Sequence, residues 1–88
     1  MADQIHLTII SADGAKLDRM VSYVSIPAES GSVGVLTGHL PMLCAVKRGV
    51  MKCRCENQET ISFEVRDGIA SVAQNEVAFL VASAEEVT

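Results

Sequence analysis

Residues 60–82 read TISFEVRDGIASVAQNEVAFLVA. Ile61, Phe63 and Val65 alternate with Thr60, Ser62 and Glu64; Val77, Phe79 and Val81 alternate with Ala78, Leu80 and Ala82. A period of two puts one set on a buried strand face and the other toward water. Asp67-Gly68 and Gln74-Asn75 carry the chemistry of tight hairpin turns. The same period recurs outside this stretch. Ile5, Leu7 and Ile9 alternate with His6, Thr8 and Ile10. Val21, Tyr23 and Ser25 alternate with Ser22, Val24 and Ile26, and Met51, Cys53 and Cys55 with Lys52, Arg54 and Glu56. Asp13-Gly14, the run 56–59 and Gly49 punctuate these segments. The pattern predicts an all-β domain, a small antiparallel β-sandwich or flattened barrel of about eight to ten short strands. Only the tail, with Ser83 as N-cap and Glu85 and Glu86 in a first turn, predicts a helix start.

The 88 residues make one small domain, 49% hydrophobic and 3% aromatic, so aliphatic side chains must fill the core. The net charge is -4, and no basic run exceeds Lys47-Arg48, which argues against nucleic acid and anionic lipid. No apolar stretch is long enough for a membrane-spanning helix. The N-terminal segment, with Asp3 and no basic region, does not read as a signal peptide. Three cysteines, an odd number, suit a reducing cytosol better than a disulfide framework.

The stretch GSVGVLTGHLP, Gly31–Pro41, holds three glycines. A phosphate-binding loop needs Lys and Ser/Thr after its last glycine, whereas His39 and Leu40 follow Gly38. The glycines are expected to supply positive φ or close backbone approach instead. His39 lacks a nucleophile and an orienting acid at a readable spacing. Cys53-Arg54-Cys55 places two thiols on one strand face beside Met51, which reads as core. A closed zinc site would need two further ligands, with Cys44 and His39 or His6 as the candidates. The alternative to a non-catalytic interaction module is therefore a small Cys/His metal-binding or hydrolytic β domain using His39, Cys44, Cys53 and Cys55. A third, a sandwich binding sugar or peptide, lacks aromatic platforms beyond Tyr23, Phe63 and Phe79.

The glycine stretch GSVGVLTGHLPM resembles the segment Gly-x-x-Gly-Ile/Val-Leu-x-Gly-His-x-Pro-Leu/Met of the epsilon-chain family of F-type ATP synthases, called delta in mitochondria. IHLTIISADG, VSYVSIPAESGSVG, LCAVKRGVMK and FEVRDGIASVAQNEVAFLVASAEEV resemble the family's other strands, so the match covers nearly the whole chain. It departs at Arg66-Asp67-Gly68, where many members have Ser-Gly-Gly, and at Ser32, where some carry an acid.

The resemblance implies a β-sandwich of about ten strands that is not an enzyme and needs no cofactor. It implies a central-stalk rotor subunit that couples rotation of the membrane c-ring to the gamma subunit during ATP synthesis driven by ion flow. The complex would lie on the cytoplasmic face of the membrane. Ring-facing positions would be Glu29, Ser30, Gly31, Ser32, Val33, His39 and Leu40, with Gly34, Gly38 and Pro41 shaping the loop and Ser11 on the gamma side. Self-association of the isolated domain stays open. Many members continue into a helical hairpin. The sandwich is then expected over residues 1–84, with 85–88 as the tail where the hairpin begins, and these residues should lack its inhibitory and ATP-sensing roles.

Overall fold

Seven strands follow one another in the computed structural model, which describes residues 4–29, 31–36, 41–55 and 57–87. They are β1 (Ile5–Ser11), β2 (Gly14–Ala28), β3 (Gly31–Val35), β4 (Met42–Val46), β5 (Gly49–Cys55), β6 (Thr60–Ala73) and β7 (Glu76–Val87). The described residues form no helix. The all-β expectation holds, but three strands are long, at 15, 14 and 12 residues for β2, β6 and β7.

Each long strand changes partner or layer midway. The first part of β2 pairs with β1, from Ser11↔Gly14 to Ile5↔Val21, and its second part pairs with β5 and β3. One edge of β6 pairs first with β5 and then with β4, while β7 runs along the other. β7 pairs in parallel with β1 only over Glu76–Val81. Two layers result. One holds the start of β2, then β1, the start of β7, the end of β6, and β4. The other holds the end of β7, the start of β6, then β5, the end of β2, and β3. The count near ten thus refers to strand segments, because β2, β6 and β7 each serve both layers, as strands do at sandwich corners.

The bends leave a trace in burial. In β6, Ile61, Phe63 and Val65 point inward, and the next inward residues are Ala70 and Val72. In β7, Val77, Phe79 and Val81 are followed by Ala84, and in β2, Val21 is followed by Val24 and Ile26. A bulge between Val21 and Tyr23 shifts the phase of β2. The single alternation expected through Val21, Tyr23 and Ser25 is therefore corrected. Asp67-Gly68 is also not a hairpin turn. Asp67 adopts φ 54° inside β6, and the strand pairs on either side of it.

The tail forms no helix start. Ser83 pairs with Arg66 and Val87 with Ser62, so β7 stays extended through Val87. β6 offers an edge of backbone donors and acceptors in this stretch, and pairing with it overrides the local capping signal at Ser83.

Turns form at two of the remaining sites and among the described residues 57–59. Ser11↔Gly14 encloses a two-residue loop, with Gly14 at φ +129°. Ala73↔Glu76 encloses Gln74-Asn75, where Asn75 at φ 59° takes the left-handed region that asparagine tolerates. The Asn75 carbonyl also accepts the His6 amide at 2.9 Å, tying β1 to this hairpin. Between β5 and β6, Gln58 sits at φ 71°, and the Cys55 amide donates to the Glu59 carbonyl at 2.8 Å.

Candidate functional site

The glycine-bearing segment leaves the body where β2 ends. Ala28 pairs with Gly31, and Gly31 takes φ +121°, which a side chain would strain. Glu29 is exposed. Its carboxylate lies 3.3 Å from Lys47 Nζ, and its amide donates to the Ala45 carbonyl at 3.3 Å. Ser32 is exposed opposite Pro27, and Val33 is half-buried opposite Ile26. Gly34 faces Tyr23, whose hydroxyl would stand 3.0 Å from a Cβ built there. Pro41 is exposed just ahead of β4. Glu29, Gly31, Ser32, Val33 and Gly34 thus share one end of the sandwich. Ser30, Gly38, His39 and Leu40 lie outside the described residues. Strands, not a helix, flank the segment on both sides, so the described residues offer no helix N-terminus to an anion.

The three cysteines occupy the core. Cys44, Cys53 and Cys55 are free thiols and are 7%, 1% and 2% exposed. Burial, helped by neighbouring Cys55, pushes the Cys53 thiol up to about 11, and burial also raises Cys44. A buried, protonated thiol is a poor nucleophile at neutral pH. Among the described residues, no three His, Cys, Asp or Glu side chains are grouped to hold a metal. Of the two histidine candidates, His6 on β1 lies with its Nε2 2.6 Å from the Asp18 carboxylate, and His39 lies outside the described residues.

Ser11 is buried at 6% exposure. Its hydroxyl donates to the Asp13 carboxylate, with the Gly14 carbonyl 3.3 Å away, so it shapes its own hairpin. The side chain that reaches the surface beside it is Ile10.

Ile10 belongs to a feature that the alternation hid. Ile10 pairs with Leu80, Leu80 with Ile69, and Ile69 with Ala45, so one row crosses β1, β7, β6 and β4. Ile10, Leu80 and Ile69 are 44%, 48% and 44% exposed. The neighbouring row runs Thr8, Ala78, Ser71 and Leu43, with Leu43 exposed. None of these side chains is charged. Asp18 of β2 continues the Thr8 row at its far end. The opposite layer presents Lys52, Arg54, Glu64, Arg66 and Glu85 around the exposed Val50, with Arg48 3.6 Å from Glu64. A contiguous apolar face of this kind marks a contact surface. The signal in the sequence is the doublets Ile9-Ile10 and Phe79-Leu80, apolar on both phases, as in strands covered on two sides.

The family model described as "ATP synthase, Delta/Epsilon chain, beta-sandwich domain" matches residues 4–87. An ATP synthase epsilon chain of Nostoc punctiforme is 40% identical over 78 residues, covering 88% of this chain and 57% of the relative. One of Lawsonia intracellularis is 32% identical over 88 residues, covering 100% of this chain and 65% of the relative. The chain therefore spans less than two thirds of the length of these relatives.

Among solved structures, the fold is similar to a chain of the Euglena gracilis mitochondrial ATP synthase, solved as OSCP/F1/c-ring. The TM-score is 0.90 and the identity 24%, covering 98% of this chain and 55% of that one. A chain of the Tetrahymena thermophila mitochondrial ATP synthase central stalk/c-ring matches with TM-score 0.74 and 15% identity, covering 96% of this chain and 67% of that one. At these identities the structural likeness speaks for the fold, and the sequence matches carry the family. By the extent of the model match and the relatives at 40% and 32% identity, this chain belongs to the delta/epsilon-chain family of ATP synthases, through its β-sandwich domain.

Proposed function

We propose that this chain is a non-catalytic rotor element that passes torque between the c-ring and the gamma subunit of an ATP synthase. The Ile10–Leu80–Ile69–Ala45 face packs on gamma, and the end bearing Glu29 to Leu40 meets the polar loops of the ring. Ion flow turns the ring, and the sandwich turns with gamma during ATP synthesis, on the cytoplasmic face of the membrane and without entering the lipid.

The observation that carries this reading is the uncharged apolar row on one layer, set against a charged outer face on the other. Three large side chains left about half exposed would each gain roughly 1 kcal/mol on being covered by a partner. The assemblies named for the similar structures, which include a c-ring, support the choice of partner. A torque-bearing body needs stiffness rather than a pocket. Strands that each serve both layers supply it, because neither layer can slide without bending β2, β6 and β7.

The test is direct. Mixed at micromolar concentration with gamma of the same synthase, the chain should co-elute on a sizing column, and the pair should then bind detergent-solubilised c-ring. Separate elution of chain and gamma would sink the proposal.

A further inference from the structure

β3 is the least secured strand of the sandwich. Among the described residues it pairs with β2 alone, from Val24↔Val35 to Ala28↔Gly31, whereas every other strand has at least two partners. Of its five residues only Val35 is buried. Edge strands with so little burial open easily. Yet β3 carries Gly31, Ser32 and Val33, which must hold a fixed shape if they present a surface.

One aromatic side chain lies outside the core. Phe63 and Phe79 are buried, and Tyr23 sits half-buried on β2, across from Arg54 on β5. The hydroxyl end of its ring lies against Gly34. A Cβ at Gly34 would come within 3.0 Å of the Tyr23 hydroxyl and 3.2 Å of its Cε1. Gly34 pairs with Ser25, so Tyr23 reaches it diagonally across the β2–β3 ladder. An aromatic ring covering the bare backbone of a cross-strand glycine stabilises that pairing.

We propose that Tyr23 is a positioning residue: its ring, set against Gly34, locks β3 to β2 and so holds the Gly31–Val33 segment in place. The consequence for ring contact rests on the rotor reading above; the lock itself does not.

Hydrogen exchange on the intact chain tests the lock. Tyr23→Ala should speed exchange of the β3 amides bonded to β2 about fivefold, while core amides of β1, β6 and β7 keep their rates. Tyr23→Phe, which keeps the ring, should match the native chain. Gly34→Ala crowds the Tyr23 hydroxyl at 3.0 Å, so in the native background it should slow β3 exchange by less than alanine in place of a strand glycine otherwise would. In the Tyr23→Ala background, where the obstructing atoms are gone, the same change should slow β3 exchange by the full alanine-for-glycine effect. Uniform acceleration in all strands, or an equal effect of Gly34→Ala in both backgrounds, overturns the lock.

The second arm measures assembly with gamma and c-ring. Tyr23→Ala should weaken ring binding about fivefold and leave gamma binding unchanged. An unaltered ring affinity despite loosened β3 amides overturns the positioning role. Failure of the native chain to bind the ring overturns the rotor reading, and exchange alone then judges the lock.

Discussion

Gly68 of β6 lies so close to Leu80 of β7 that a Cβ on Gly68 would stand 2.0 Å from the Leu80 carbonyl oxygen and 2.6 Å from Val81 Cα. This is where both strands exchange their inward and outward faces and carry the chain from one layer to the other. The obstructing atoms are backbone, which cannot swing aside. Gly68→Ala should therefore cost about 3 kcal/mol and lower Tm by more than about 10 °C. Thermal unfolding followed by circular dichroism checks it. A variant within about 2 °C of the native chain would show that the corner yields freely.

That corner also marks the limit of what the sequence discloses. Alternation sets Ile5, Leu7 and Ile9, Met51, Cys53 and Cys55, and Ile61, Phe63 and Val65 each on one strand face, and all are buried. Within a straight segment, side-chain direction depends only on parity, so period two suffices. At Val21–Val24, Val65–Ala70 and Val81–Ala84 parity fails, because the backbone bends or bulges there for the sake of long-range packing. Asp67-Gly68 carries hairpin chemistry, but its use in a corner depends on β4, β5 and β7 flanking it. The tail repeats the lesson, since Ser83–Val87 are strand because β6 offers an edge. The family resemblance groups Glu29, Gly31, Ser32 and Val33, which lie near one another where β2 turns into β3. It missed the apolar face, which exists only once four strands far apart in sequence lie side by side.

The apolar face makes a separable prediction. Leu80→Glu combined with Ile69→Lys alters two half-exposed side chains and should change folding stability by about 0.5 kcal/mol or less at each site. Co-elution with gamma should nevertheless weaken at least tenfold, because charge replaces apolar area at the middle of the row. Titration by calorimetry distinguishes the outcomes. Native affinity for gamma in the double variant would move the interface elsewhere, and the layer carrying Lys52 and Arg54 would become the next candidate.

Asp13 predicts an acid-side signature. The hydrogen bond from Ser11, followed by the bond and charge of Lys16 at 3.1 Å, holds its carboxyl below the ordinary 3.8. A carboxyl lowered in the folded state contributes stability above its unfolded value, and loses it as pH falls through the folded value. The gap in urea midpoint between the native chain and Asp13→Asn should therefore be present at pH 6 and shrink on acidification below about pH 4. Parallel curves across that range would remove the hairpin from any account of acid stability.

The cysteines predict the alkaline side. Burial, with Cys55 adjacent, raises Cys53 from 9.0 to about 11, so the fold favours the protonated thiol. The unfolded chain releases its proton first as pH rises. The stabilisation is therefore intact below pH 9.0 and declines progressively up to about pH 11. Cys53→Ala should flatten this loss, at the cost of a small cavity that lowers stability at neutral pH by about 1 kcal/mol. The same burial should keep all three thiols from reacting with a chromogenic aromatic disulfide until urea unfolds the chain. Rapid native labelling at pH 8 would place a thiolate at the surface and revive the reading of Cys44, Cys53 and Cys55 as a reactive or metal-binding set.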